Sequence, residues 1–327
     1  MNWSQQSVLI TGGTGSFGRK FVELVLRDLR PRKLIVFSRD ELKQHEMRQQ
    51  FPDTGDSPVR YFLGDVRDRE RLYRAFYGVD VVVHAAALKQ VPACEYNPFE
   101  AILTNVMGAK NVVDAAIDCG VKRVMALSTD KACQPVNLYG ATKLCAEKLF
   151  VDGNAYSGDR PARFACARYG NVVASRGSVI PVFLEQRRNG RITITDPAMS
   201  RFWITLEQGV RFVVRSIEEM HGGEIFVPKI PSMTILELSR TIAPDCEVEM
   251  IGIRPGEKTH EILVSEDEAR NTVELDDKFV ILPAGSEQVT KRWNAGRPLR
   301  AGFRYASDTN TQQLTPKALT ELLGPLT

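Results

Sequence analysis

The chain has 327 residues, 43% of them apolar and 25% charged, with a net charge of +3. That length accommodates one large α/β unit plus a smaller one around a proper core, with the composition of an ordinary soluble enzyme. Basic and acidic residues are interspersed, which argues against a nucleic-acid partner, and no apolar run approaches membrane-spanning length.

The start, Met1 to Gln6, leads directly into a strand and leaves no room for a signal peptide, so the chain reads as cytoplasmic. In chain order the first half alternates strands and helices. Ser7 to Thr11 is a strand, Phe17 to Leu29 a helix, Lys33 to Ser38 a strand and Glu41 to Phe51 a helix. Val59 to Gly64, Arg69 to Tyr77 and Val79 to His84 continue the pattern, followed by one long helix from Pro98 to Cys119 and a strand from Arg123 to Ser128. Continuous Val/Ile/Leu runs mark parallel strands buried on both faces, and their alternation with helices predicts a Rossmann-type doubly wound sheet. From about Gly170 the rhythm breaks. A helix near Thr205 to Glu218 and a strand at Glu224 to Val227 are expected to return to the first unit. The expected division is 1–170 plus about 203–230 for a dinucleotide-binding domain, and about 171–202 plus 231–327 for a smaller α/β substrate-binding cap.

Cys94, Cys119, Cys133, Cys145, Cys166 and Cys246 form no CxxC pair and read as reduced core residues. His84 and the other three histidines lack metal spacing, so no metal site is expected.

Between the first strand and first helix stands Thr11-Gly12-Gly13-Thr14-Gly15-Ser16-Phe17-Gly18. Gly12, Gly15 and Gly18 allow a tight turn that brings backbone amides, with Thr14, Ser16 and Phe17, against a pyrophosphate at a helix N-terminus. The second strand ends Val36-Phe37-Ser38-Arg39, followed by Asp40 and Lys43. Ser38 occupies the position where an acid would bind an NAD ribose, and Arg39 can pair with a 2′-phosphate, so NADP is favoured; Asp40 keeps NAD open. Asp65 and Val66 would lie beside the adenine. Ala85, Ala86 and Ala87 either form a small-residue wall for the cofactor or are simply tight packing.

Tyr139 and Lys143 are four apart and share one helix face. A lysine ammonium below the phenol stabilises the phenolate, which lets a tyrosine act as a base. Thr129, Asp130 and Lys131 sit at the carboxyl end of a strand, where open α/β sheets bind ligands. Two further titratable groups beside the Tyr/Lys pair point to more than one proton transfer.

With these motifs the chain resembles, over nearly its whole length, the extended short-chain dehydrogenases/reductases that act on nucleotide sugars. Ser128-Thr129-Asp130-Lys131 resembles their 4,6-dehydratases, where the common hexose enzymes have Asp-Glu. Asp130-Lys131 together with Tyr139 is similar to the inverting UDP-N-acetylglucosamine 4,6-dehydratases of pseudaminic acid biosynthesis, the PseB type. Segments such as Ala87-Leu88-Lys89-Gln90-Val91-Pro92, Arg201-Phe202-Trp203-Ile204-Thr205 and Arg254-Pro255-Gly256-Glu257-Lys258 carry the same resemblance. It implies a redox-neutral dehydration of UDP-N-acetylglucosamine through NADP, by a homo-oligomer built on dimers or a hexamer, with no nucleic acid and no membrane.

In the implied reaction Tyr139 is the base for the 4-hydroxyl, Thr129 holds the 4-oxygen, Lys131 removes the carbon-5 proton and Asp130 protonates the departing 6-hydroxyl. Lys131 can act so only if its pKa falls; Lys143 and the nicotinamide charge are expected to lower it and Asp130 to oppose them. The substrate diphosphate calls for basic groups. Arg254 is the first candidate, Glu257 holds it or a ribose hydroxyl, and Asn171, Arg176, Lys89 and Val179 are further substrate contacts, with Val172 toward the cofactor. Arg201 is read either as a ligand contact or as structural. The alternatives are a nucleotide-sugar 4-epimerase or 4-reductase, a retaining 4,6-dehydratase, and a non-catalytic NADP-binding regulator.

Overall fold

Seven of the chain's short runs become neighbouring parallel strands; most of them are apolar and buried along both faces, which requires a strand on either side, and Val59–Leu63, partly exposed, forms the edge. The computed structural model describes residues 1–173 and 178–323. In chain order the strands are β1 (Ser7–Thr11), β2 (Lys33–Ser38), β3 (Val59–Leu63), β4 (Val81–His84), β5 (Arg123–Thr129) and β6 (Arg163–Tyr169). All of β1 and β4 is buried. Their flanking helices are α1 (Ser16–Leu24), α2 (Glu41–Gln50), α3 (Arg69–Phe76), α4 (Val91–Tyr96), α5 (Pro98–Ile102), α6 (Gly108–Asp118) and α7 (Leu138–Ser157). Asp40, Asp68 and Asn137 start α2, α3 and α7 by accepting the backbone N–H three residues on.

The second half supplies β7 (Asn171–Val172), α8 (Val179–Arg187), β8 (Arg191–Ile194), β9 (Ser200–Ile204), α9 (Leu206–Glu219), β10 (Ile225–Pro228), β11 (Ser232–Thr234), α10 (Ile235–Ile242), β12 (Glu247–Met250) and β13 (Ile262–Val264). They are followed by α11 (Glu266–Ala269), β14 (Thr272–Glu274), β15 (Lys278–Ile281), α12 (Glu287–Arg292), β16 (Arg297–Pro298), β17 (Tyr305–Ala306) and α13 (Pro316–Leu323).

Ten strands form one sheet in the order β16-β14-β15-β10-β6-β5-β4-β1-β2-β3. The order reverses at β1, between β4 and β2, which opens the ligand crevice of a doubly wound sheet at the carboxyl ends. At that point Thr11 pairs with His84, and the Thr11 hydroxyl lies 2.9 Å from His84 Nδ1. Above the crevice lie a three-stranded sheet (β11-β9-β7) and two strand pairs, β12 with β8 and β13 with β17. Strands β8, β9, β11 and β12 contribute to a second core that includes Ile180, Phe183, Ile192, Trp203 and Leu238, whereas Leu263, Val264 and Tyr305 of β13 and β17 join the main core.

Among the differences from the sequence expectation, three bear on the architecture. Residues 272–298, expected in the cap, add β14, β15 and β16 to the large sheet, with β15 antiparallel to β10. Lys-Phe-Val-Ile in β15 is buried throughout, and an antiparallel edge on a parallel sheet satisfies that burial. The single long helix expected over 98–119 is α5, a wide π-helical stretch at Leu103–Met107, and α6. The irregularity frees Asn105 to bond both Leu88 backbone groups (2.8 and 2.9 Å) and the Thr142 hydroxyl at 3.0 Å. Finally, α4 forms where no helix was expected, with Pro92 in its first turn. Among the described residues no helix is long and apolar enough to cross a membrane.

Candidate active site

A cavity of about 670 Å³ follows the crevice from the glycine turn to β7. At one end it is lined by Gly12, Thr14, Gly15, Ser16, Phe17 and Gly18, then by Ser38, Arg39, Asp40, Lys43, Asp65 and Val66. Ala85, Ala86 and Ala87 form its middle, and Lys89, Thr129, Asp130, Lys131, Tyr139, Lys143, Asn171 and Val172 its far end. The sequence candidates thus converge on one space, with four exceptions. Val179, Arg254 and Glu257 are not among its lining residues, and Arg176 lies outside the described residues.

The near end fits a dinucleotide. Gly12 has φ of +65°, and a Cβ there would come 2.8 Å from the Ala86 nitrogen; at Gly18 it would overlap the Gly13 carbonyl. Only bare backbone therefore lets strand, turn and helix meet so closely. Five buried polar atoms along the cavity have no hydrogen-bond partner among the described residues: Thr104 Oγ1, Ser128 Oγ, Asp130 Oδ2, Asn171 Oδ1 and Ser178 Oγ. Orphans of this kind are costly unless a ligand meets them. Beside β2, Asp40 is already committed: it accepts from the Lys43 N–H at 3.0 Å and from Lys43 Nζ at 2.6 Å. Arg39 is half exposed and makes one long contact, 3.4 Å, to Asp65, which is itself clasped by Arg67 at 2.8 Å.

At the far end, β5 delivers Thr129, Asp130 and Lys131 as it turns toward α7. The Thr129 hydroxyl donates to Asp130 Oδ1 at 2.8 Å. Lys131 Nζ donates to that same oxygen and to Glu261 Oε1, both at 3.2 Å. Burial pushes the Lys131 ammonium down, but Asp130 and Glu261 outweigh it and hold Lys131 above the ordinary lysine range, against opposition from Arg201. This corrects the expectation that Lys143 lowers it: the residues on this site keep Lys131 protonated. Burial pushes Tyr139 up to about 12, and the largest charge pulling it back is Lys131, rather than the Lys143 that helical spacing pointed to. Lys143 instead donates to the Leu127 carbonyl at 2.7 Å, and burial lowers its pKa.

Glu261 was missed in the sequence, and Lys258 stood out only as part of the Arg254 to Lys258 segment, with no role assigned to it. Glu261 is buried, and its carboxylate also faces Arg201 Nε at 3.7 Å and Lys258 Nζ at 3.9 Å. Arg201 is structural in its contacts, donating to the carbonyls of Ser200, Lys258 and Thr259. The Arg254–Glu257 turn docks beside the start of α7, where Asn137 Nδ2 donates to the Gly256 carbonyl at 2.7 Å. Glu257 accepts from the Arg254 backbone N–H at 3.3 Å, so it braces the turn. Behind the site, fully buried Arg168 of β6 forks onto Glu147 of α7 (2.9 and 2.7 Å) and Glu268 of α11 (3.0 and 2.8 Å). Planar, two-sided pairing of this type fixes orientation as well as charge.

Residues 8–283 match the family described as "Polysaccharide biosynthesis protein". The chain is 49% identical to a Campylobacter jejuni protein named UDP-N-acetylglucosamine 4,6-dehydratase (inverting), over 98% of each chain. A Rickettsia massiliae protein named UDP-glucose 4-epimerase is 40% identical over 97% of this chain and 95% of its own. The solved structure of Pen from Bacillus thuringiensis superposes with a TM-score of 0.89 over 99% of both chains, at 38% identity.

Proposed function

This chain belongs to the polysaccharide biosynthesis family, among its inverting UDP-N-acetylglucosamine 4,6-dehydratases, and on that premise we propose that it dehydrates UDP-N-acetylglucosamine with inversion at carbon 5. The product is UDP-2-acetamido-2,6-dideoxy-β-L-arabino-hexos-4-ulose, the first intermediate of pseudaminic acid biosynthesis. The observation that carries this reading is Lys131 clasped to Asp130 at 3.2 Å on the wall of the cavity that also holds Tyr139.

The chemistry that NADP supplies when bound is hydride exchange with carbons 4 and 6, so the overall reaction is redox-neutral. Gly12 to Gly18 would hold its pyrophosphate and Arg39 with Lys43 its 2′-phosphate; Asp40, spent on its cap and on Lys43, favours NADP over NAD. Tyr139 takes the proton of the 4-hydroxyl; burial raises its pKa, and the Lys131 charge offsets part of that rise. The resulting ketone acidifies the carbon-5 proton. Transfer of the Lys131 proton to Asp130, across their existing contact, creates a neutral amine and a neutral carboxylic acid in one move. Lys131 then takes the carbon-5 proton, while Asp130 gives its proton to the 6-hydroxyl, which leaves as water. Carbon 5 finally regains a proton.

A 4-epimerase, the name of the Rickettsia relative, needs Tyr139 but no acid–base pair at carbons 5 and 6. The Asp130–Lys131 pair, with its carboxylate buried, favours elimination. Exposed Tyr96 and Phe99, continued by Ile102, Leu103 and Met107 along α4 to α6, support a homo-oligomer. The deciding experiment incubates purified protein with UDP-N-acetylglucosamine and catalytic NADP and follows products by NMR. A 6-deoxy-4-keto sugar is expected without net NADPH formation; a 4-epimer, or a stoichiometric need for NADPH, refutes the reading.

A further inference from the structure

Glu261 lies 130 positions from Lys131 in the chain, yet its carboxylate reaches the Lys131 nitrogen at 3.2 Å, the same separation as Asp130. It stands just before β13, and its backbone is pinned at both ends: its N–H donates to the Ser307 hydroxyl, and its carbonyl accepts from the Ser307 N–H, both at 2.9 Å. Its second oxygen, Oε2, is buried with no hydrogen-bond partner among the described residues. Arg201 at 3.7 Å and Lys258 at 3.9 Å supply its remaining counter-charge. Lys258 is in turn fixed by donating to the Cys133 carbonyl at 2.6 Å, two residues beyond Lys131.

We propose that Glu261 is a positioning residue for Lys131, holding its nitrogen at the cavity wall beside Asp130 while Arg201 and Lys258 balance the added carboxylate. This rests on the dehydratase reading given above. A lysine carries three donors on a flexible stem, and a single partner leaves it free to swing. Two carboxylates from distant parts of the chain restrict it to one place. The charged and titratable groups facing Lys131 are Asp130, Tyr139, Glu261 and Arg201; Lys258 faces Glu261, and His260, next to it in the chain, is held by the Ser200 hydroxyl at 2.8 Å. Of these, Glu261 is a carboxylate that the proposed proton transfers leave unchanged. It therefore opposes loss of the Lys131 proton throughout the cycle.

The test uses the NADP-loaded enzyme and the pH dependence of dehydration. Glu261→Gln keeps an acceptor oxygen but removes the charge. The acid limb of kcat should move down by about one pH unit, with KM for the nucleotide sugar within about twofold. Glu261→Asp keeps the charge but withdraws it by one methylene; the limb should stay in place while kcat falls about tenfold or more. A merely structural role would lower the melting temperature without moving the limb. A Gln profile superimposable on the wild type, or an Asp variant with wild-type kcat, overturns the proposal. Should the Gln variant fail the NADP-induced thermal shift that reports folding, the Asp variant decides. Wild-type enzyme that leaves UDP-N-acetylglucosamine untouched would instead refute the dehydratase reading itself.

Discussion

Gly140 follows the proposed base Tyr139 and faces the segment that carries the other catalytic groups. A Cβ at this position would overlap the Lys131 carbonyl oxygen, and would come within 3.1 Å of its carbonyl carbon and 3.0 Å of Pro135 Cβ. Ordinary contact between such atoms needs roughly 3.5 Å or more, so Gly140→Ala must push α7 and the 129–132 turn apart by on the order of 1 Å. Alanine's better helix propensity returns at most about 1 kcal/mol, against roughly 1–3 kcal/mol for overpacking. The net cost in stability is therefore small, whereas a displacement of about 1 Å between acid, base and substrate costs about a hundredfold in rate. The assay pairs kcat for product formation with the melting temperature of the NADP complex. Gly209→Ala in α9 is the control: nothing lies within 4 Å of its Cβ, so it should stabilise by roughly 0.5–1 kcal/mol and leave kcat alone. Near-normal kcat in Gly140→Ala would refute the claim that this contact sets the geometry of the site.

Arg39→Ala should weaken NADP binding by about 2 kcal/mol and NAD binding far less, as read by titration; equal losses would show that Arg39 does not discriminate. Lys131→Met should abolish hydrogen–deuterium exchange at carbon 5 yet still allow substrate to reduce some bound NADP⁺, while Tyr139→Phe should lose both signals. Near-normal dehydration by Lys131→Met would remove it as the base. Burial lowers His84 from 6.5 to about 3, so the folded protein refuses a proton that the unfolded chain accepts. Stability should therefore fall as pH drops below 6.5 toward about 3, by up to about 1.4 kcal/mol per pH unit from this group. His84→Asn should be less stable at neutral pH but lose less on acidification, measured as urea midpoints at about pH 7 and about pH 5; parallel losses would refute it.

The sheet was legible because a strand buried on both faces needs an unbroken apolar run, and β1, β2, β4 and β5 each carry one. The glycine turn and the Thr129 to Lys143 stretch were legible for a different reason: their chemistry is local, within one strand end and one helix. Glu261 was not. It precedes a three-residue strand in a segment whose charges look like a solvated loop, and only the tertiary fold brings it to Lys131. The π-helical turn was hidden as well, because the partner that its Asn105 binds, Leu88, lies outside that helix. Arg254 and Glu257 stood out as a turn motif, and a turn is what the structure makes of them.

The sheet's dependence on β15 has a consequence for how the protein is made. A ribosome releases the glycine turn, Tyr139 and β10 well before residues 278–281, which cover β10 along its open side. Until then the nascent chain presents Ile225–Pro228 as a bare, apolar strand edge, an open template for pairing with a second chain. Glu261 also emerges late, so the unfinished chain holds Lys131 with one carboxylate instead of two. Translation pauses that fall before β15 has emerged from the ribosome should therefore promote aggregation, and pauses that fall after it has emerged should not.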